Sequence, residues 1–144
     1  MTTRVLELER KIQELQDIEA IKKLKARYWN DVDAQQWDDL ADCFSQDTVF
    51  DTPFFGRMEG RDHIIRVLKR AMRDVKTAHQ GHNPEIEIID SSSAKGRWAL
   101  NDCVGTGSKQ FSRGYGCYED EYVKDNGAWK IKQSVLTYTF QERT

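Results

Sequence analysis

The sequence predicts an α+β fold in which helices gather on one face of a strongly curved, mostly antiparallel sheet. Three observations lead there. Apolar residues recur at helical spacing through the early part of the chain. After Thr77 nearly every segment is rich in β-branched and aromatic residues. The turn signals "DSSS", "GTGSKQFSRG" and "DNG" then divide that later part into consecutive strands. Helices first and antiparallel strands afterwards is the order of a helix layer packed on a sheet, and a sheet curving beneath helices encloses a pocket. With 144 residues the chain has room for one domain with a substantial core.

Taken in order, Val5, Leu8, Ile12 and Leu15 follow steps of three and four, the stripe of an amphipathic helix. Asp17 and Glu19 stand where acids favour a helix start, and Lys22, Lys23, Lys25 and Arg27 follow toward its far end, matching the macrodipole. A break or restart near Gln16 is therefore expected, dividing the chain into a helical extension, residues 1–16, and a domain, residues 17–144. The stripe resumes through Ile21, Leu24, Tyr28 and Val32, which puts Tyr28 on the buried side of a second helical stretch. "WDDLADCF" reads as a short helix. "TVFDTPFFG" predicts a strand from Thr48 to Thr52 that turns at Pro53. Ile64, Ile65, Leu68 and Met72 then mark the last helix. Strands follow in "EIEII", "AKGRWALNDCVG", "GYGCYEDEYVK" and "WKIKQSVLTYTF", with Asn126-Gly127 as a tight hairpin turn.

Composition excludes several classes. Twenty-two basic against 24 acidic side chains give a net charge of −2, so nothing draws the chain to nucleic acid. Cys43, Cys103 and Cys117 lie far apart and are odd in number, which fits a reduced, cytoplasmic compartment. The stretch "MTTRVLELERK" lacks a signal-like apolar segment, and no apolar run is long enough to span a bilayer, so neither secretion nor membrane insertion is expected. GxSxG, Walker, GxGxxG and paired zinc-ligand motifs are absent; "GTGSKQ" lacks the phosphate-loop spacing and reads as a loop between strands.

The segments "IKKLKARYWNDVDAQQWDDLADCF", "VFDTPF", "EGRDHI", "HQGHNPEIEI", "GRWAL" and "YEDEYVKDNGAWKI", in this order, resemble the SnoaL-like branch of the nuclear-transport-factor-two-like superfamily. The nearest likeness is to the bile acid dehydratase and scytalone dehydratase type, with hexachlorocyclohexane dehydrochlorinase beside them. That resemblance implies a cone-shaped α+β barrel with an apolar pocket, no cofactor, and a strand histidine that removes a proton while an aspartate at the end of the first long helix orients it. The matching positions are His79 in "TAH" and Asp33 in "VDAQQW".

The chemistry suits those residue types. Imidazole titrates near working pH, and a carboxylate on its donor nitrogen fixes the tautomer and stabilises the imidazolium that forms. The structural alternatives are Asp33 capping the next helix and His79 bonded to backbone in the core. Tyr28, on the same helix as Asp33, is a candidate donor to a substrate oxygen. Trp29, Phe50, Phe54, Met58, Met72, Trp98 and Leu100 are candidate walls of an apolar cavity, with ordinary core as the alternative. Tyr118 is a further candidate, on the strand face it shares with Tyr122 and opposite Tyr115; packing is the expected role of Tyr122. "SRGYGCYEDEY" offers no second histidine of the scytalone dehydratase kind, and Tyr138 stands where the bile acid enzyme has an arginine. No metal is expected: along an extended strand His79 and His82 face opposite sides unless a bulge at Gly81 turns one. His82 is expected at the turn before Pro84 or the pocket rim, and His63 in solvent.

Two functions follow. One is a cofactor-independent, dehydratase-like lyase or an isomerase acting on an apolar cyclic molecule, steroid-like or polyketide-like. The other is a non-catalytic ligand-binding or assembly module of the same fold, which would turn Asp33 away from His79. A homo-oligomer, dimer or trimer, is expected in either case, with the stripe Val5, Leu8, Ile12 and Leu15 covering a neighbour or the chain's own sheet.

Overall fold

A computed structural model describes residues 1–107 and 110–144. The chain opens with one helix, α1 (Thr3–Ala34), followed by α2 (Trp37–Asp42), β1 (Phe44–Thr52), β2 (Gly56–Glu59) and α3 (Arg61–Ala71). Four long strands complete it: β3 (Val75–Ile88), β4 (Ser93–Thr106), β5 (Gln110–Asp125) and β6 (Ala128–Arg143). All six strands of the described residues form a single sheet in the order β2-β1-β6-β5-β4-β3, antiparallel throughout except for β1 against β6.

The expected break near Gln16 is absent, because α1 runs unbroken past it. What changes there is the face. At about 100° per residue, Val5, Leu8, Ile12 and Leu15 lie roughly half a turn away from the buried residues Ile21, Leu24, Tyr28 and Val32. A change of apolar face inside one helix mimics a break when only spacing is read. The macrodipole reading falls with it: Asp17 is mid-helix and buried, accepting bonds from Trp129 Nε1 at 3.0 Å and Gln13 Nε2 at 3.2 Å, with Lys124 Nζ at 2.7 Å. Lys25 is fully buried rather than solvated.

β1 begins four residues earlier than Thr48, and the short strand β2 was not expected; its exposed pattern carries little apolar signal. The ten-residue loop "GTGSKQFSRG" contracts, since β4 continues to Thr106 and β5 starts at Gln110; its Ser108 and Lys109 lie outside the described residues. Asn126 and Gly127 both take positive φ (50° and 79°) and close the β5–β6 hairpin as expected. β3 is continuous, with a register shift between His82 and Glu85 where Asn83 takes φ 52°.

Two contacts hold the end of α1 against β3. Gly81 lets the Trp29 indole rest on bare backbone: a Cβ there would lie 1.8 Å from the ring. Gln35, left-handed after the last helical turn, donates its side-chain amide to the carbonyls of Met72 and Val75 at 2.8 and 2.9 Å. Together they place the final turn of α1 beside the strand that carries His79.

Deeper in the core, Lys25 Nζ sits 2.9 Å from Asp120 Oδ2, with both side chains fully buried. The Tyr28, Trp29 and Tyr118 rings surround the ammonium at 4.0–4.7 Å from their centroids. Asp120 also accepts hydrogen bonds from the Tyr122 and Ser134 hydroxyls, each at 2.7 Å. Burial pulls the Lys25 pKa down and the Asp120 charge opposes it, leaving a net lowering.

Candidate active site

A cavity of about 600 Å³ opens between α1, α3 and the concave face of the sheet. Phe50, Phe54, Leu68, Met72, Val104 and Leu136 supply much of its apolar wall; Tyr28, Thr77, His79, Asp102, Tyr118 and Tyr138 bring polar groups to it. Such a balance, mostly apolar with few polar groups, is that of a small-molecule site.

Asp33 and His79 meet at its wall. His79 Nδ1 lies 2.6 Å from Asp33 Oδ1, the Thr77 hydroxyl donates to the same oxygen at 2.8 Å, and the backbone N–H of His79 donates to Oδ2 at 2.9 Å. Strand alternation explains the arrangement: Thr77, His79 and Gly81 face inward, and β3 ends the sheet, so the His79 N–H points to the helix rather than to β4. Burial works to raise the Asp33 pKa, but the bonds from the His79 ring and backbone and from Thr77 outweigh it, and the carboxyl titrates below its ordinary value. With Nδ1 held by the carboxylate, Nε2 is the ring nitrogen left to act as acceptor.

The lowered Asp33 value sets a pH window. A carboxyl whose folded pKa is depressed contributes stability fully above its unfolded pKa, about 3.9, and loses it as pH falls through the lower folded value. The stability gap between the wild type and Asp33→Asn should therefore shrink as pH falls below ~4 in urea titrations. A gap that keeps growing below that pH would contradict the sign.

A second polar pair faces the first. Asp102 is the cross-strand partner of His79 on β4, buried at 6 % exposure, and it accepts a hydrogen bond from the Tyr138 hydroxyl. Room for that pair comes from Gly114 on β5, where a Cβ would fall 2.3 Å from the Tyr138 ring and 2.5 Å from Asp102 Oδ1. Burial first, and the bond to Asp102 second, raise the Tyr138 pKa well above that of a free phenol; burial does the same for Tyr28 and Tyr118. All three are neutral hydroxyls at working pH. Asp102 and Thr77 escape a reading by motif. The signal for Asp102 was its phase, because in "WALND" it alternates with Trp98 and Leu100 and so belongs to the inward face.

Several expected positions need correction. Trp29, Met58, Trp98 and Leu100 are buried in the core and do not line the cavity. β4 contributes to it only from Asp102 onward, while Trp98 lies further back, its ring 5.2 Å from that of Trp29 and its Nε1 donating to the Tyr122 hydroxyl at 3.0 Å. Met58 is on β2 opposite Phe50, within the core cluster. His82 is not at the rim or turned inward; of the two places expected for it, it stands just ahead of the backbone irregularity before Pro84. It is exposed on the outer face, 3.1 Å from Asn101 Oδ1, because the register shift follows it rather than falling at Gly81. His79 and His82 thus face opposite sides and cannot share an ion. Asp33 does not cap α2, whose N-cap is Gln36. Phe50, Phe54, Met72, Tyr118 and Tyr138 do line the cavity, and His63 is exposed.

Residues 13–135 match the family model of the SnoaL-like domain. An uncharacterized protein of Mycobacterium tuberculosis is 25 % identical over 134 residues, covering 91 % of each chain. The crystal structure of a protein assigned as a scytalone dehydratase, from Novosphingobium aromaticivorans, superposes with a TM-score of 0.84 at 25 % identity, covering 92 % of this chain and 90 % of that one. A hexachlorocyclohexane dehydrochlorinase from Novosphingobium barchaimii gives a TM-score of 0.84 at 18 % identity, over 93 % and 94 % of the two chains, a likeness of fold. Among the described residues, no helix is long and apolar enough to cross a membrane.

Proposed function

The chain belongs to the SnoaL-like domain family, whose structural neighbours include dehydratase and dehydrochlorinase enzymes, and from that premise we propose a cofactor-independent lyase or isomerase that deprotonates an apolar cyclic small molecule. The observation that carries this reading is the 2.6 Å contact between His79 Nδ1 and Asp33 at the wall of a 600 Å³ apolar cavity. A module that only stores ligand has no need of a carboxylate fixing a histidine tautomer.

In the proposed reaction His79 Nε2 takes a proton from carbon next to a substrate carbonyl, and the C–H electron pair moves onto that oxygen as an enolate. Asp33 stabilises the imidazolium so formed. Tyr28 and Tyr118, held neutral by burial, are the donors available to the developing oxyanion, and Tyr138 is kept in place by Asp102. The enolate then either expels a hydroxyl from the next carbon, which leaves as water with the proton from Nε2, or, where the ketone carries a β,γ double bond, takes the proton back from Nε2 at the γ-carbon as that double bond moves into conjugation. The first outcome is a dehydration and the second an isomerisation. Steroid-like and polyketide-like ketones fit the cavity's size and apolar walls. Three free thiols suit the reducing cytoplasm as its compartment.

Both outcomes share the first step, so the test need not know the leaving group. Cyclic ketones of these classes, selected by the rise in melting temperature they cause, are incubated with the protein in D₂O. The wild type should speed deuterium entry at the carbon beside the carbonyl, read by NMR. Ligands that bind yet exchange no faster than in buffer would overturn the proposal.

A further inference from the structure

The apolar stripe at the start of α1 remains unused by the fold. Val5, Leu8, Ile12 and Leu15 are 40, 49, 55 and 64 % exposed, on the helix face opposite the one that packs on the sheet. That excludes the sheet as its cover. The two residues at one seam position, Val5 and Ile12, are β-branched, and the two at the other, Leu8 and Leu15, are leucine, the pairing that favours two parallel strands in a coiled coil.

We propose that residues 4–18 of α1 form a parallel, in-register, two-stranded coiled coil with the same segment of a second copy of the chain. Charge favours this arrangement over the reverse. Arg4 and Lys11 flank the seam on one side, and Glu9 and Gln16 on the other. In parallel register each Arg4 meets the second copy's Glu9, five residues on, and each Lys11 meets Gln16. Antiparallel pairing brings Lys11 beside Lys11 and Glu9 beside Glu9. The seam stops where the next two positions become Glu19 and Lys22, which pair with each other at 2.7 Å within one helix. Two heptads are short for an isolated coiled coil, but α1 is already nucleated and held by its second half on the sheet, so association does not have to order the helix. Because the seam faces away from the sheet, the two domains lie on the outer sides of the pair.

The full chain is tested by sedimentation equilibrium and light scattering. The wild type should have twice the chain mass of 16.8 kDa. Leu8→Glu with Ile12→Glu should halve it while circular dichroism stays that of a folded domain, since both side chains are exposed in the single chain. Arg4→Glu should weaken dimerisation several-fold and Glu9→Arg added to it should restore it. Leu8→Cys should cross-link to itself on mild oxidation, beyond any reaction of the native cysteines in the wild type, because parallel register sets position 8 against its own copy. A wild-type mass of one or three chains overturns the proposal, as does an assembly indifferent to the double glutamate variant. Cross-linking no better than the wild type, or charge reversal without rescue, overturns the parallel arrangement. None of these outcomes depends on the catalytic reading.

Discussion

His79→Ala should lower the rate of ketone deuterium exchange by ~10²–10⁴-fold, the usual contribution of a positioned base, while ligand binding and the far-ultraviolet spectrum persist. Binding should survive because Phe50, Leu68, Met72, Val104 and Leu136, which dominate the apolar wall, are untouched. The variant leaves Asp33 with the Thr77 hydroxyl and the backbone N–H of residue 79 as donors, so its carboxylate is not stranded. Exchange at the wild-type rate in His79→Ala would remove the base from the mechanism. A variant that no longer binds ligand would show instead that the imidazole serves as part of the wall.

Asp120→Ala should cost about 3–5 kcal/mol in urea denaturation, the penalty for removing one partner of a buried pair and leaving the other charge unmatched. Lys25 would keep its aromatic surroundings, which are worth about 0.5–2 kcal/mol each as cation–π contacts at best, but no carboxylate. The Tyr122 and Ser134 hydroxyls would lose their acceptor at the same time. Replacing both charges, as Lys25→Met with Asp120→Asn, should recover part of the loss, because the amide oxygen still accepts from one of the two hydroxyls, the amide NH₂ can donate to the other, and no ammonium remains buried. A single-variant loss under about 1 kcal/mol would mean that water reaches Lys25 after all.

Much of this architecture was legible in residue order. The helices-then-strands sequence and the Asn126-Gly127 turn rest on local periodicity and turn chemistry, which a chain carries openly, whereas β3 begins ten residues ahead of the strand expected in "EIEII". The approach of Asp33 to His79 was legible only through the family resemblance, since 46 positions separate them. Asp102 and Tyr138 were harder still. Their meeting depends on the pairing of β4, β5 and β6 and on a missing side chain at Gly114. Trp29 and Trp98 could not be sorted from Phe50 and Met72, because a ring that fills a core and a ring that walls a cavity obey the same apolar phase. The interior lysine was hidden by its neighbours: Lys22 and Lys23 are ordinary surface groups, and only the helix register singles out Lys25.

The bond from the backbone N–H of His79 to Asp33 has a consequence away from chemistry. β3 is the last strand of its sheet, and an outward N–H on such a strand is an invitation for a foreign strand to add itself. By occupying that donor, the Asp33 carboxylate blunts the sheet margin against self-association at the same point where it aims the imidazole.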